Sequence, residues 1–220
     1  ETVGWLRRQM SAPGGGFYAA LDADSEGIEG KYYVWNPEEV AVLVGAEKAA
    51  LVTRCYDVIP GGNWSDPHGH GPENASILHV IDQPHDEEEE RLLAQAKATL
   101  LAARDQRIPP GTDDKILTGW NALTISGLAT CGQLLQRVDF IELARSTADF
   151  VLTKLRTASG ELLRTYKDGQ ARWAGTLDDH AFLAEALIAL GQATQESKYL
   201  TIAVELTEAA LRNLYDPEQH

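Results

Sequence analysis

The sequence predicts a mainly α fold of repeated helical hairpins, forming part of an α/α-toroid with short β-hairpins between the helix pairs. The second half of the chain repeats at an offset of 59 residues, so that Gly132-Gln133 matches Gly191-Gln192 and Ala144 matches Ala203. The two helices of each repeat also differ in charge. Because a single hairpin cannot bury its own apolar faces, recurring hairpins are expected to stack.

The difference in charge predicts which helix of each pair is inside. Residues 122–136 contain no charged side chain and residues 181–195 contain only Glu185, whereas 139–156 and 198–212 carry charges along one face. A helix that is apolar all round is buried, and a helix with a polar stripe faces water. Each repeat therefore has an inner and an outer helix, as in an α/α-toroid. An open solenoid is the alternative, because the repeat period does not show whether a ring closes.

Turn and cap signals place the remaining elements. Residues 161–166 and 170–173 flank Lys167-Asp168-Gly169 and predict a β-hairpin between the repeats. An earlier copy is predicted from residues 16–21 and 31–35, around the loop 22–30. A helix is predicted to start at Asn36-Pro37-Glu38-Glu39 with a capping box. Another is predicted over residues 86–107, ended by the prolines and glycine that follow.

Composition limits the functional classes. The chain has 220 residues and a net charge of −14, so a nucleic-acid or anionic-membrane role is not expected. The two cysteines, Cys55 and Cys131, are not clustered, which argues against a disulfide scaffold or a zinc site. Cys131 is expected in the core. A reducing compartment fits, and we expect a cytoplasmic protein.

Acidic and aromatic residues concentrate in the loops that lead into the inner helices, which in a toroid face one mouth of the central cavity. Sugar chemistry uses carboxylates as general acid and as base or nucleophile. Flat aromatic side chains cover the apolar face of a pyranose. The predicted catalytic residues are Asp113, Asp114, Asp178 and Asp179, and the predicted substrate-binding residues beside them are Trp120, Asn121 and His180. The competing interpretation is structural, since Thr176 and Asp179 form a capping pattern.

Further candidate substrate-binding residues lie nearer the N-terminus. They are Asp22, Asp24, Glu26 and Trp64. The first three belong to an acidic loop that begins like a calcium loop, but its twelfth position is Tyr33 instead of a bidentate Glu. His68 and His70 have no further ligand at helical spacing. We therefore expect a rigid acidic turn, with no metal and no cofactor.

Three stretches resemble a known family, the thioredoxin-domain-containing, spermatogenesis-associated proteins of bacteria and animals. They are Gly15–Trp35, Asp113–Asn121 and Leu177–Phe182. Members of this family join an N-terminal thioredoxin-like domain to a six-hairpin glycosidase-like toroid, and the match covers essentially the whole chain. One departure is His180, where the family usually has Tyr.

The resemblance implies that residues 1–220 are the central part of one toroid domain, truncated at both ends and without the thioredoxin-like domain. It implies a carbohydrate-related function, either as a glycoside hydrolase-like or as a sugar isomerase/epimerase-like enzyme. The alternative is a non-catalytic binding or scaffold domain for a small ligand or for a partner of the thioredoxin-like module. Expected partners are therefore a sugar-like molecule and that module.

Overall fold

The computed structural model describes residues 1–66 and 69–216, which form two units. Residues 1–20 and 112–216 belong to the first unit, and residues 21–66 and 69–111 belong to the second. The helices are α1 (Thr2–Trp5, continued by a π-helical turn Leu6–Met10), α2 (Pro37–Val44), α3 (Ala46–Tyr56), α4 (Glu87–Arg104), α5 (Thr118–Leu134), α6 (Val138–Lys154), α7 (Leu177–Thr194) and α8 (Ser197–Asn213). The strands are β1 (Ala20–Leu21), β2 (Asp24–Ser25), β3 (Ile28–Glu29), β4 (Thr112–Asp113), β5 (Ile116–Leu117), β6 (Leu163–Lys167) and β7 (Gln170–Ala174).

Two helical hairpins, α5–α6 and α7–α8, make up most of the first unit. Helix α5 packs on α7, and each of the two packs on its own outer partner, α6 or α8. A Cβ added to Gly132 would lie 2.6 Å from Ile141, and one added to Gly191 would lie 3.3 Å from Leu200. These contacts are 59 residues apart, so the repeat in the sequence is a repeat in the packing. The predicted mainly α fold, with the inner and outer layers of an α/α-toroid, is confirmed.

The inner helices are not buried all round, which corrects one expectation. Cys131, predicted to lie in the core, is exposed on α5, whereas Cys55 is buried in the second unit. Trp120 and Leu134 are also exposed on α5. A helix without charges therefore has an exposed side in this structure.

The predicted hairpin between the repeats is confirmed. Strands β6 and β7 are antiparallel, with Lys167 opposite Gln170, and β5 extends the sheet beside β6. Asp168 and Gly169 both have positive φ, 50° and 78°, as a type I′ turn requires. Trp173 on β7 has φ +64° and is 71% exposed, a backbone conformation that is uncommon for a bulky residue.

The second unit contains α2, α3 and α4 around one core. Trp35, Val40, Val52 and Leu100 are among the buried residues that pack there. The predicted start of α2 is confirmed, because the Asn36 side chain accepts a hydrogen bond of 2.8 Å from the Glu39 N–H. The α4 helix is confirmed too, with Asp86 as its cap.

The predicted earlier hairpin, residues 16–21 with 31–35, is wrong. A smaller hairpin, β2 with β3, lies inside the predicted loop, and Asp24 pairs with Glu29. Glu26 and Gly27 form its turn with φ of 55° and 74°. Trp35 instead pairs with Ser76, through main-chain hydrogen bonds of 3.0 and 2.7 Å. The acidic loop therefore folds on itself, since its own turn signal outcompetes the longer pairing.

One tight turn occurs twice in the first unit. Ser11 pairs with Phe17 after the first helical turns, and Arg156 pairs with Leu162 after α6. In the first turn the Ala12 N–H donates to the Gly16 carbonyl at 3.0 Å, and in the second Thr157 donates to Glu161 at 2.9 Å. The two turns have the same main-chain hydrogen bonds, and a glycine at the fifth position is the residue they have in common.

Candidate functional site

Asp179 is a buried structural carboxylate. It is 3% exposed, and Oδ2 accepts hydrogen bonds from the Thr176 N–H and hydroxyl at 2.9 and 3.0 Å. This completes the capping box of α7. Oδ2 also lies 3.1 Å from the Arg164 guanidinium. Oδ1 accepts from the Gly119 N–H on α5 at 2.9 Å. Both oxygens are therefore engaged, and the side chain joins two inner helices.

Asp113 and Asp114 each pair with a lysine. The Lys115 ammonium lies 2.8 Å from Asp113, and this hydrogen bond holds the pKa of the Asp113 carboxyl below its ordinary value. Lys167 lies 2.5 Å from Asp114, and that contact raises the pKa of the lysine. A carboxyl with a lowered pKa is a poor general acid near neutral pH. Asp178 lies exposed at the start of α7.

Asn121 anchors a segment of main chain. The Phe17 N–H donates to Oδ1 at 2.7 Å, while Nδ2 donates to the Phe17 and Leu117 carbonyls at 3.0 and 2.9 Å. The residue is 1% exposed. A ligand could reach this amide only if Phe17 moved away. The substrate-binding role of Asn121 stays a prediction, and in this structure its amide binds main chain.

His180 occupies the repeat position of Asn121 and repeats part of its contact. Its Nδ1–H donates to the Thr176 carbonyl at 2.9 Å, just as the Asn121 amide donates to Leu117. His180 is buried, and its ring contacts the Gly175 position. Trp120, in contrast, is 55% exposed and remains accessible to a partner or ligand.

The second unit contains a polar cleft of about 450 Å³. Much of its wall comes from the stretch Ser25–Trp35 and the start of α2, and the opposite rim comes from residues 72–75. The polar side chains that line it are Ser25, Glu26, Lys31, Asn36, Glu39, Glu73, Asn74, Gln106 and Arg107. The Glu26 and Lys31 side chains pair at 2.7 Å and are about two-fifths exposed.

Arg107 fixes the floor of this cleft. Its guanidinium donates to the Tyr32 and Val34 carbonyls at 2.9 Å each and to Glu39 at 2.7 Å. It also lies over the Trp35 ring, with Cζ 4.0 Å from the ring centroid. The Glu39 carboxylate thus binds Arg107, whereas the sequence predicted it as the second half of a capping box. Arg107 and Glu39 are therefore engaged within the protein, whereas Glu26 and Lys31 are partly exposed and pair with each other.

The other predicted residues of this unit have separate positions. Trp64 is packed by its ring against Gly30 and Gly71, where an added Cβ would lie 3.0 and 2.9 Å from ring carbons. Asp22 and Asp24 are exposed on and beside β2, and the Asp24 N–H contacts Asp22 at 3.4 Å. Of the predicted residues in this unit, Glu26 lines the cleft. His68 lies outside the described residues.

Neither a metal cluster nor a membrane helix occurs in the described part of the chain. Among residues 1–66 and 69–216, no three His, Cys, Asp or Glu side chains come together in a way that could hold a metal ion. No helix within those ranges is long and apolar enough to cross a bilayer.

Comparison with known proteins gives matches in sequence and in structure. Human spermatogenesis-associated protein 20 is 32% identical over 97% of this chain, and the mouse protein of the same name is 31% identical over 97%. The resemblance to the spermatogenesis-associated proteins is confirmed. The chain spans about a third of the length of these relatives, 32% and 31%. No protein-family model matches the chain.

The solved structures that are similar to the chain include two carbohydrate enzymes. One is a GH76 α-mannanase of Bacteroides thetaiotaomicron, with a TM-score of 0.45 and 16% identity over 59% of this chain and 40% of that one. Another is a cellobiose 2-epimerase of Bacillus thermoamylovorans, with a TM-score of 0.46 and 10% identity over 98% of this chain and 54% of that one.

Several lining residues of the cleft were missed by reasoning from the sequence. Arg107, Glu39 and Glu73 line it, but none of them belongs to the stretches that resemble spermatogenesis-associated proteins. Arg107 lies more than 60 residues from Glu39, so no local pattern joins them. The available signal is indirect: Arg107 follows the end of a helix, and most of its partners lie within an aromatic run, Tyr32 to Trp35.

Proposed function

We propose that this chain has a carbohydrate-related function and that the cleft of the second unit binds a small polyhydroxylated, sugar-like ligand. The observation that supports this most directly is the lining of the cleft. Carboxylates, amides and a lysine occur together around a volume of about 450 Å³. Small-molecule sites are clefts of about 300–1,000 Å³ with a few polar groups that fix orientation.

The arrangement of charge favours a ligand with many hydroxyls. Glu26 and Glu73 offer acceptors at the rim, while Lys31 and the Gln106 amide offer donors. A hydroxyl both donates and accepts, so adjacent groups of the two kinds can bind neighbouring hydroxyls of one sugar. The Glu26–Lys31 pair is partly exposed and is therefore worth little by itself, so a ligand can replace it at small cost.

Binding without turnover is the second candidate function, and the predicted catalytic acids favour it. Asp179 is engaged by four donors, and Asp113 and Asp114 are paired with lysines. A glycoside hydrolase requires one carboxyl that is protonated before it acts, facing a second carboxylate across the sugar. A hydrolase or isomerase reaction is therefore expected to depend on the cleft acids, not on these three.

The test is ligand-observed NMR with a panel of mono- and disaccharides, using the chain and two variants. We expect saturation transfer to at least one sugar, and at least a tenfold loss of affinity in Glu26→Gln. Glu29→Gln is the matched control, because Glu29 belongs to the same hairpin but does not line the cleft. The same samples, followed over hours, report turnover as new anomeric signals.

Two results would argue against the proposal. If none of the sugars receives saturation transfer, the proposed binding function is wrong. Equal loss in Glu26→Gln and Glu29→Gln would place the binding elsewhere on the hairpin. Binding without new anomeric signals would support the non-catalytic candidate and exclude the tested reactions.

A thioredoxin-like partner module remains part of the proposal. The chain matches about a third of its relatives, so the module would belong to the rest of a longer protein. We expect the isolated chain to bind a thioredoxin-like domain of such a relative in a pull-down with purified components. Failure of the two to associate at about 100 µM would argue against a stable contact.

A further inference from the structure

Two short stretches of chain form opposite walls of the cleft in the second unit. We name residues 31–35 the first wall and residues 72–75 the second wall, since all of these positions except Tyr33 line the cleft. The walls meet at one end, where Trp35 and Ser76 exchange main-chain hydrogen bonds of 3.0 and 2.7 Å. This pairing fixes the separation of the walls at that end.

A single indole ring lies against the other end of both walls. Gly30 comes directly before the first wall, and Gly71 comes directly before the second. A Cβ added to Gly30 would lie 3.0 Å from Cη2 of Trp64, and a Cβ added to Gly71 would lie 2.9 Å from the same atom. Each wall is therefore held at one end by the Trp35–Ser76 pairing and at the other end by the Trp64 ring.

The two glycines allow this close approach for different reasons. Gly30 has φ of +73°, a backbone conformation that residues with a side chain rarely adopt. Gly71 does not have positive φ, so its backbone is open to other residues. A Cβ at Gly71 would, however, lie within 3.0 Å of both Trp64 and Asp66. At Gly71 it is therefore the contact with the ring and with Asp66 that requires glycine.

The Trp64 main chain belongs to the same arrangement. Its N–H donates to the carbonyl of Ala75, in the second wall, at 3.1 Å. Its ring reaches across to Gly30, at the start of the first wall. Trp64 itself is not among the described residues that line the cleft. Any effect of this side chain on a molecule in the cleft must therefore pass through the walls.

We propose that Trp64 is a positioning residue that sets the spacing of the two walls and so selects which sugars fit the cleft. The selection of sugars rests on the proposed function, whereas the spacing of the walls does not. Lys31 follows Gly30 directly, and Glu73 lies two residues after Gly71. A change of spacing at the glycines therefore moves a donor on one wall relative to an acceptor on the other.

The first experiment is a double-mutant cycle between Trp64 and Gly71. Trp64→Phe shortens the ring, and Gly71→Ala introduces the methyl group that the indole excludes. Each single variant is expected to bind glucose and maltose at least about fivefold more weakly in saturation-transfer NMR. In the double variant the methyl group occupies space that the shorter ring vacates. We therefore expect its loss to be at least about threefold smaller than the product of the single losses.

The matched control is Gly61→Ala, because Gly61 lies in the same loop and a Cβ there meets nothing within 4 Å. Its effect on affinity is expected to multiply with that of Trp64→Phe to within about twofold. The contact of a Gly71 Cβ with Asp66 is present with either ring, so it cancels from the cycle. Independent losses for Trp64→Phe and Gly71→Ala would overturn the proposal, since a ring that stacks directly on the sugar gives that result.

The ratio of the two affinities tests the selection of sugars. A change in the spacing of the walls affects a disaccharide and a monosaccharide differently, because they differ in size. The maltose-to-glucose affinity ratio is therefore expected to change by at least about twofold in Trp64→Phe. An equal loss for both sugars would refute the role in selection.

Hydrogen exchange reports on the walls without any ligand. The Gly30 N–H donates to the Ala23 carbonyl at 3.0 Å, and the Tyr33 N–H donates to the Gly30 carbonyl at 2.9 Å. Both amides are expected to exchange at least about fivefold faster in Trp64→Phe, because the ring no longer holds the first wall. Amides of α4 are expected to keep their rates, whereas a general loss of stability would speed exchange there as well.

The two experiments distinguish failure of this proposal from failure of the proposed function. If no sugar binds but exchange rises at Gly30 and Tyr33, Trp64 sets the spacing of the walls and the sugar-binding function is wrong. If sugars bind and neither the cycle nor the exchange rates respond to Trp64→Phe, the positioning role is wrong and the sugar-binding function is not affected. Faster exchange confined to residues 69–76 would also refute the proposal, because Trp64 would then hold only its own loop.

Discussion

Replacing Asp179 by Ala tests whether this carboxylate stabilises the fold. Loss of a helix cap costs about 1 kcal/mol. The buried Gly119 N–H would lose its acceptor, which costs about 1–3 kcal/mol. The Arg164 side chain is 45% exposed, so its ion pair adds only about 0–1 kcal/mol. We expect the free energy of unfolding to fall by about 2–5 kcal/mol.

The assay is urea unfolding followed by circular dichroism. The midpoint is expected to fall with little change in slope, since the same surface is exposed on unfolding. Asp178→Ala is the control next to it, because Asp178 is exposed, and we expect a change within about 0.5 kcal/mol. Asp179→Asn is expected to lie between, at about 1–2 kcal/mol, because the amide oxygen can still accept from Gly119.

The reasoning fails if Asp179→Ala unfolds at the same urea concentration as Asp178→Ala. A carboxylate kept for catalysis at a cost to the fold would give equal or greater stability when it is removed. That outcome would restore Asp179 as a candidate catalytic residue and would mean that its four hydrogen bonds contribute little.

Three further predictions concern other sites. Asn121→Ala is expected to destabilise the first unit by about 2–3 kcal/mol and to speed hydrogen exchange at the segment it anchors; unchanged exchange would refute the anchoring role. Gly62→Ala is expected to lower the free energy of unfolding by more than about 3 kcal/mol, because its Cβ would lie 2.3 Å from a main-chain oxygen. Gly61→Ala has positive φ but open space around it, so it should cost about 1 kcal/mol. Thermal melts of both variants test this difference. Hydrogen bonds from the next main-chain N–H and from Arg54 lower the pKa of Asp82 below 3.8. The stabilising effect of this carboxylate is therefore present above that pH and is lost as the pH falls further. In an acid titration, Asp82→Asn should lose less stability over that range than the unchanged chain.

The repeat, the layering and the hairpin turn were predictable because each depends on residues close in sequence. Asp168-Gly169 fits the two positive φ angles of a type I′ turn, so the hairpin followed from two residues. Asn36-Pro37 determined the start of α2 in the same way. These elements can be predicted without knowing which distant residues are in contact.

The failures depend on contacts between distant residues. Trp35 pairs with Ser76, so the predicted hairpin between residues 16–21 and 31–35 does not form. No local sequence pattern at either residue predicts this pairing. Cys131 was assigned to the core because its helix has no charges, but burial depends on how many neighbours surround the helix. Arg107 reaches three carbonyls more than 70 residues away, so no motif could reveal it.

The paired turns at 11–17 and 156–162 show that different residues make the same main-chain hydrogen bonds at two places in this chain. The two turns have one glycine in common and otherwise different residues, yet they close with the same bonds. The two turns are nevertheless not interchangeable, because Gly16 has positive φ and an added Cβ there would lie 3.0 Å from Phe150, while the second turn has a hydrogen bond from the Glu161 N–H to the Thr157 hydroxyl. A count of repeats from sequence identity alone would miss this shared turn, so it gives a lower bound on the number of internal repeats.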